Sequence, residues 1–141
     1  MTPLINPKSL LFLDHPGPIP FAHRGGAGMF PENTLPAFKN AVEMGYKYLE
    51  TDVHSSKDGE VFAFHDESLE RVTGRTGKIS DFTATEISQI EIDGFAKIPT
   101  LIELLELFPK VKINIDPKAD SVVTPLINLL KRTNSVSRVC I

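Results

Sequence analysis

The sequence predicts an α/β fold assembled from successive β/α units. Short apolar runs alternate with stretches of helical periodicity, turn residues separate them, and the polar residues least suited to a core fall where the apolar runs end. Parallel strands joined by helices gather their loops on one face, so those strand ends are where chemistry collects.

Each element has its own signal. Residues 1–20 carry five prolines (Pro3, Pro7, Pro16, Pro18 and Pro20) and read as an extended arm ahead of a domain over 21–141. Phe21-Ala22 is a brief strand running straight into His23-Arg24-Gly25-Gly26. A helix follows from Thr34 to Met44, capped by Asn33 or Thr34, with Leu35, Phe38 and Val42 on one face and Gly45 as its stop. Tyr48 to Val53 is the second strand. Seven residues separate it from the next apolar run, Val61 to Phe64, too few for a helical crossover of roughly a dozen residues. A hairpin is the remaining link. Asp58-Gly59 signals a two-residue tip, which would set Lys57 opposite Glu60 and Asp52 opposite His65.

Two later helices open with capping boxes, Thr83 with Glu86 and Thr100 with Glu103; the second runs to Phe108 and stops at Pro109. Val111 to Ile115 is a further strand, Ser121 to Arg132 a helix, and Arg138 to Ile141 the start of one more strand.

Composition narrows the partners. The chain has 141 residues, 41% hydrophobic and 23% charged, which suits one globular domain. Eighteen acidic and 15 basic residues give a net charge of −3 without a long run of either sign, so a nucleic-acid footprint is missing. Cys140 is the only cysteine, which excludes an internal disulfide and a thiolate metal cluster. No apolar stretch approaches the roughly 20 residues of a spanning helix, and Met1 to Ser9 does not resemble a signal peptide. The reading is a soluble, cytoplasmic protein.

His23 and Arg24 follow the first strand. Glu50 and Asp52 stand i, i+2 on the second and point to one side of it. His65 closes the third strand, and Asp116 and Lys118 repeat the i, i+2 spacing after the fourth. Three converging carboxylates repel one another unless a positive charge lies between them, and Mg²⁺ or Ca²⁺ prefers such an all-oxygen site. Two histidines nearby suit proton transfer near neutral pH, while Arg24 and Lys118 suit an anionic substrate such as a phosphate. Gly25, Gly26 and Gly28 complete no nucleotide-binding pattern and read as turn residues. Asn33 reads as structural, His15 and His54 as surface or packing residues, and Glu32 and Asp66 carry no assigned role.

His23-Arg24-Gly25, Pro31-Glu32-Asn33-Thr34, Glu50-Thr51-Asp52-Val53, Lys57-Asp58-Gly59, His65-Asp66, Pro99-Thr100-Leu101 with Glu103, and Asn114-Ile115-Asp116-Pro117-Lys118 occur in this order. Together they resemble the successive motifs of the glycerophosphodiester phosphodiesterase family over residues 20–118. The resemblance implies an incomplete (β/α)8 TIM barrel, roughly the first four or five strands with a β-hairpin between strands 2 and 3. It implies metal-dependent hydrolysis of a glycerophosphodiester to glycerol 3-phosphate and an alcohol. Glu50, Asp52 and Asp116 would hold the divalent cation, His23 and His65 would act as acid and base, and Arg24 and Lys118 would hold the phosphoryl oxygens. One departure is Asp116-Pro117-Lys118, where many members carry Glu-x-Lys.

A whole barrel takes eight strands and about 250 residues, so the chain reads as a truncated N-terminal portion. Its open strand edge calls for self-association or a complementing chain. Two other readings follow: an inactive remnant or interaction module of the same family, and a sugar-handling metal barrel such as an isomerase.

Overall fold

A computed structural model of the chain describes residues 11–141. Part of the expected N-terminal arm, residues 1–10, lies outside the described residues. Its remainder is a turn at 11–13 followed by irregular chain packed on the body. Phe12 is buried, its ring meeting Tyr48 edge-on at 5.6 Å, and its carbonyl accepts from Tyr48 Oη at 2.5 Å and Lys112 Nζ at 2.9 Å. These contacts lie where the strands Tyr48–Ser55 and Lys112–Pro117 begin.

Strand β1 (Phe21–Ala22) pairs in parallel with the start of β2 (Tyr48–Ser55), joined by helix α1 (Leu35–Glu43). Thr34 is the cap of α1: its hydroxyl accepts from the Ala37 amide at 3.3 Å and donates to the Pro31 carbonyl at 2.7 Å. Asn33 is not the cap. It stands one residue earlier in the left-handed region, φ 55°, with its side chain turned toward β2. Gly25 lies between β1 and α1 at φ 81°, and a Cβ there would come within 2.9 Å of the Phe38 backbone nitrogen. Only glycine lets the loop and the helix approach this closely.

Strand β3 (Val61–Ala63) returns antiparallel on β2, but one residue out of the expected register. Val53 faces Ala63, so the amide opposite Asp52 belongs to Phe64, which donates to the Asp52 carbonyl at 3.0 Å. The cause is the tip. Gly59 takes φ 87° and donates to the Ser56 carbonyl at 3.0 Å, while the Ser56 hydroxyl bonds Asp58 Oδ1 at 2.6 Å and the Glu60 amide at 2.9 Å. This is a three-residue loop with glycine in the left-handed position, not a two-residue one. A one-residue shift exchanges the faces of a strand, so Phe64 and not His65 stands opposite Asp52, and β3 itself ends at Ala63, two residues before His65.

The chain from His65 to Pro99 is no β/α unit. It holds the short helices α2 (Glu70–Thr73) and α3 (Ala84–Ile87) and a small hairpin of β4 (Glu91–Ile92) and β5 (Ala96–Lys97). Phe62, Phe64, Leu69, Val72, Ile79, Ile87, Ile90, Ile92 and Ile98 form a separate apolar cluster beneath it. Regular alternation resumes with α4 (Leu101–Leu107), β6 (Lys112–Pro117), α5 (Asp120–Arg132) and β7 (Val139–Cys140). Both Thr-x-x-Glu capping boxes form, on α3 and α4. Arg138 donates to the Leu105, Phe108 and Val111 carbonyls at 2.6 to 3.2 Å, neutralising the carboxyl end of α4.

The main sheet runs β1, β2, β6, β7 in parallel, with β3 on the same edge of β2 as β1 but further along it. The five strands expected from the sequence are these five. Register along β2 and β6 sets Glu50 beside Asn114 and Asp52 beside Asp116. Asp116 thus lies within β6, not after it. The larger core, with Phe38, Leu49, Leu104, Ile113 and Leu126 fully or almost fully buried, fills the space between this sheet and α1, α4 and α5. Each such side chain stabilises by roughly 1.5–3 kcal/mol.

Gly25→Ala tests the close contact of loop and helix. We expect it to lower unfolding free energy by about 1–3 kcal/mol, the usual cost of a side chain held at positive φ, as read by denaturant unfolding. A stability within 0.5 kcal/mol of wild type would contradict that contact.

Candidate active site

β1, β2 and β6 end on the same side of the sheet, and the residues there converge. Asp52 is its centre. Its side chain is 3% exposed, and an ionised carboxylate at that depth needs partners. Asn33 Nδ2 donates to Oδ2 at 3.1 Å, Arg24 Nε stands 3.2 Å from the same oxygen, and Lys118 Nζ stands 3.5 Å from Oδ1. The Arg24 contact is an ion pair out of hydrogen-bond alignment, so Nε is left without a hydrogen-bond partner among the described residues. Asn33 is buried and completes its own bonding by accepting from Thr51 Oγ1 at 2.9 Å.

Glu50, two residues back on the same face of β2, accepts from the Arg24 amide at 3.0 Å and lies 3.8 Å from His23 Nε2. Burial pushes its carboxyl above the ordinary range, the Asp52 charge pushes the same way, and the Arg24 amide opposes both. Arg24 makes these contacts from φ 52°, a conformation that costs a non-glycine residue free energy and marks sites where placement matters. His23 itself is largely exposed, its side chain 70% accessible. On the neighbouring strand Lys118 Nζ binds Asp116 Oδ2 at 2.9 Å, which pushes the lysine pKa upward. The positive charge among Glu50, Asp52 and Asp116 is thus supplied by Arg24 and Lys118. Among the described residues no three His, Cys, Asp or Glu side chains are gathered closely enough to enclose a metal ion.

His65 stands on the loop after β3. Its Nδ1 lies 2.6 Å from Asp66 Oδ1, and a hydrogen bond from Arg71 holds the Asp66 carboxyl far below its usual range. Asp66 is therefore an acceptor, and His65 donates from Nδ1, which leaves Nε2 as the nitrogen that exchanges a proton. The His65 carbonyl accepts from His54 Nε2 at 3.0 Å.

Four residues here lay outside the sequence assignment. His54 is 4% exposed and does more than pack, since it pins the backbone of His65. Asn33 bridges Asp52 and Thr51. Glu32 pairs with Arg24 and Arg71 at 3.2 and 2.6 Å, and Asp66 orients His65. The available signal was the hairpin: pairing β2 with the run after it carries His54 toward the chain near His65.

The fold is that of part of a (β/α)8 barrel, not closed, with these charged side chains at its strand ends. Residues 23–133 match the glycerophosphoryl diester phosphodiesterase family, and the chain belongs to that family. It is 36% identical over 131 residues to the probable glycerophosphodiester phosphodiesterase 2 of Mycobacterium tuberculosis, covering 92% of this chain and 50% of that protein. It is 39% identical over 134 residues to the glycerophosphodiester phosphodiesterase of Caldanaerobacter subterraneus subsp. tengcongensis, covering 85% and 55%. The crystal structure of the Thermotoga maritima glycerophosphodiester phosphodiesterase superposes with a TM-score of 0.75 at 37% identity, over 84% of this chain and 51% of that one. An Oleispira antarctica phosphodiesterase, solved in complex with the product sn-glycerol-3-phosphate, gives 0.72 at 30% identity, over 82% and 52%. The chain spans about half the length of the curated relatives it matches. No helix among the described residues is long and apolar enough to cross a membrane.

Burial holds the His54 pKa below 6.5 in the folded protein. The unfolded chain then takes up the proton first, so this contribution to stability is present above about pH 6.5 and is lost as pH falls. Comparing melting temperatures at pH 7.5 and 5.5, we expect a smaller acid-induced decrease in His54→Gln than in wild type. Equal decreases would show that His54 is not held neutral.

Proposed function

We propose that this chain carries the catalytic half-face of a glycerophosphodiester phosphodiesterase, hydrolysing glycerophosphodiesters to glycerol 3-phosphate and an alcohol. The observation that supports it most is the meeting of Arg24, Glu50, Asp52 and Lys118 at adjoining strand ends, with His23 against Glu50 and an oriented His65 on the next loop. Membership of the family supports the same reading.

Arg24 and Lys118 are suited to binding the phosphoryl oxygens, where fixed cations in a partly buried site stabilise charge that builds at phosphorus. One histidine takes the proton of a glycerol hydroxyl as its oxygen bonds to phosphorus. The other protonates the departing alcohol oxygen as its bond to phosphorus breaks. Water then opens the cyclic phosphodiester with the two proton transfers reversed, leaving glycerol 3-phosphate. His65, with Nδ1 committed to Asp66, performs its transfers through Nε2.

Glu50, Asp52 and Asp116 are oxygen donors of the type Mg²⁺ or Ca²⁺ prefers, on two adjacent strands with Asp52 and Asp116 in register, and sharing one ion would require them to close in around it as Lys118 withdraws. When bound, such an ion supplies charge neutralisation for the three carboxylates and polarisation for a phosphoryl oxygen. The outer edge of β7 pairs with no other strand among the described residues. We therefore include a second copy or a complementing chain covering that edge, to be read from the molar mass in solution by light scattering.

The decisive measurement is release of glycerol 3-phosphate from glycerophosphocholine with Mg²⁺ or Ca²⁺. We expect turnover that stops on chelation and falls roughly 10²–10⁴-fold in His23→Ala and His65→Ala. Calorimetry should show uptake of the cation by wild type and its loss in Asp52→Asn. A folded chain that binds the cation and releases no product would favour the inactive remnant or interaction module.

A further inference from the structure

The two loops that carry the histidines are joined by a side chain that belongs to neither. Arg71, on α2, grips Asp66 with two prongs: Nε donates to Oδ2 at 2.6 Å and Nη2 to Oδ1 at 2.9 Å. The same guanidinium reaches across to Glu32, Nη2 to Oε1 at 2.6 Å and Nη1 to Oε2 at 3.2 Å. Glu32 receives Arg24 Nη1 from its other side, at 3.2 Å to each oxygen. His65, Asp66, Arg71, Glu32 and Arg24 thus form one unbroken row of charged or titratable groups, running from the proton-exchanging imidazole to the guanidinium beside Asp52.

Arg71 is about half exposed, and an isolated ion pair with that exposure contributes little to stability. Its geometry is of another kind. Every nitrogen of the planar fork is committed to a carboxylate oxygen, and such forked pairs fix orientation as well as distance. Without Arg71, Glu32 would keep Arg24 as its partner and Asp66 would keep His65 alone. Asp66 would lose the bonds that aim its carboxylate at His65 Nδ1, and Glu32 would draw Arg24 without a counterweight. Burial alone would raise the Glu32 pKa, and hydrogen bonds and charge from Arg71 and Arg24 outweigh it.

We propose that Arg71 is a positioning residue, which clamps Asp66 and Glu32 so that His65 is held as the Nδ1–H tautomer and Arg24 is held at a fixed separation from it. The proposal rests on the reading that His65 and Arg24 act on a phosphodiester, but its structural half stands apart from that reading. A lysine cannot take its place, because one ammonium offers no planar fork to hold two carboxylates in fixed orientation.

The test reads the tautomer directly. In protein with ¹⁵N-labelled histidine, long-range proton–nitrogen correlation spectra at pH 7.5, assigned with His65→Gln, should show Nδ1 as the protonated nitrogen of His65. In Arg71→Ala the signal should move toward a mixture of the two tautomers, and Arg71→Lys should restore it incompletely. Arg71→Gln, which keeps more of the side chain's packing, replaces Arg71→Ala if the melting curve of the latter departs from wild type. With glycerophosphocholine we expect kcat to fall roughly tenfold or more in Arg71→Ala, as for other groups that orient a catalytic residue, with KM changing less. An unchanged His65 spectrum in Arg71→Ala, or full wild-type kcat despite a changed spectrum, would overturn the proposal. An inactive wild type whose His65 tautomer still responds to Arg71→Ala would refute the phosphodiesterase reading while supporting the clamp.

Discussion

A carboxylate buried as deeply as that of Asp52 has to be surrounded by donors, and that requirement shapes the chain around it. Two residues on the β1 to α1 connection, Arg24 and Asn33, accept positive φ in order to reach it. Gly25 follows because the loop must lie flat against Phe38 for Arg24 to turn inward. Lys118 arrives from the next strand because β6 runs in parallel register with β2. Two of the non-glycine residues with positive φ, and the tight glycine beside them, thus lie on the one connection that brings charge to this oxygen pair.

The smaller core does a different job. The segment between β3 and α4 covers it without adding a parallel strand, and it carries Asp66 and Arg71. Carboxylate anchoring therefore belongs to the parallel sheet, whereas orientation of His65 belongs to an excursion with its own apolar support. The two meet through side chains, where Arg71 crosses to Glu32, and through the backbone, where β3 pairs with the end of β2.

Much of this was legible in the sequence, for physical reasons. Apolar runs with helical or alternating period showed all five strands of the main sheet and the longer helices, and Thr-x-x-Glu marked two helix starts. The i, i+2 spacing put Glu50 and Asp52 on one face. What escaped were features decided by a single residue or by contact across the chain. Asp58-Gly59 dominates the local signal and points to a two-residue tip, while the Ser56 hydroxyl, which favours the longer loop, carries no periodic pattern. α2, β4 and β5 span four residues or fewer, too short for periodicity to register. Asn33 and Thr34 are equally good caps by residue type, and the structure gives the cap to Thr34 and turns Asn33 toward Asp52. Glu32 and Arg71 are separated by 39 residues, and no local rule joins them.

Packing the excursion on its own cluster has a consequence for how the protein breathes. Regions with separate apolar support open as separate cooperative units. A fluctuation that loosens residues 65–98 would release the clamp on His65 while Asp52 stays neutralised by Arg24, Asn33 and Lys118. On the proposed reading, proton transfer through His65 would then lapse more often than anion capture by Arg24 and Lys118.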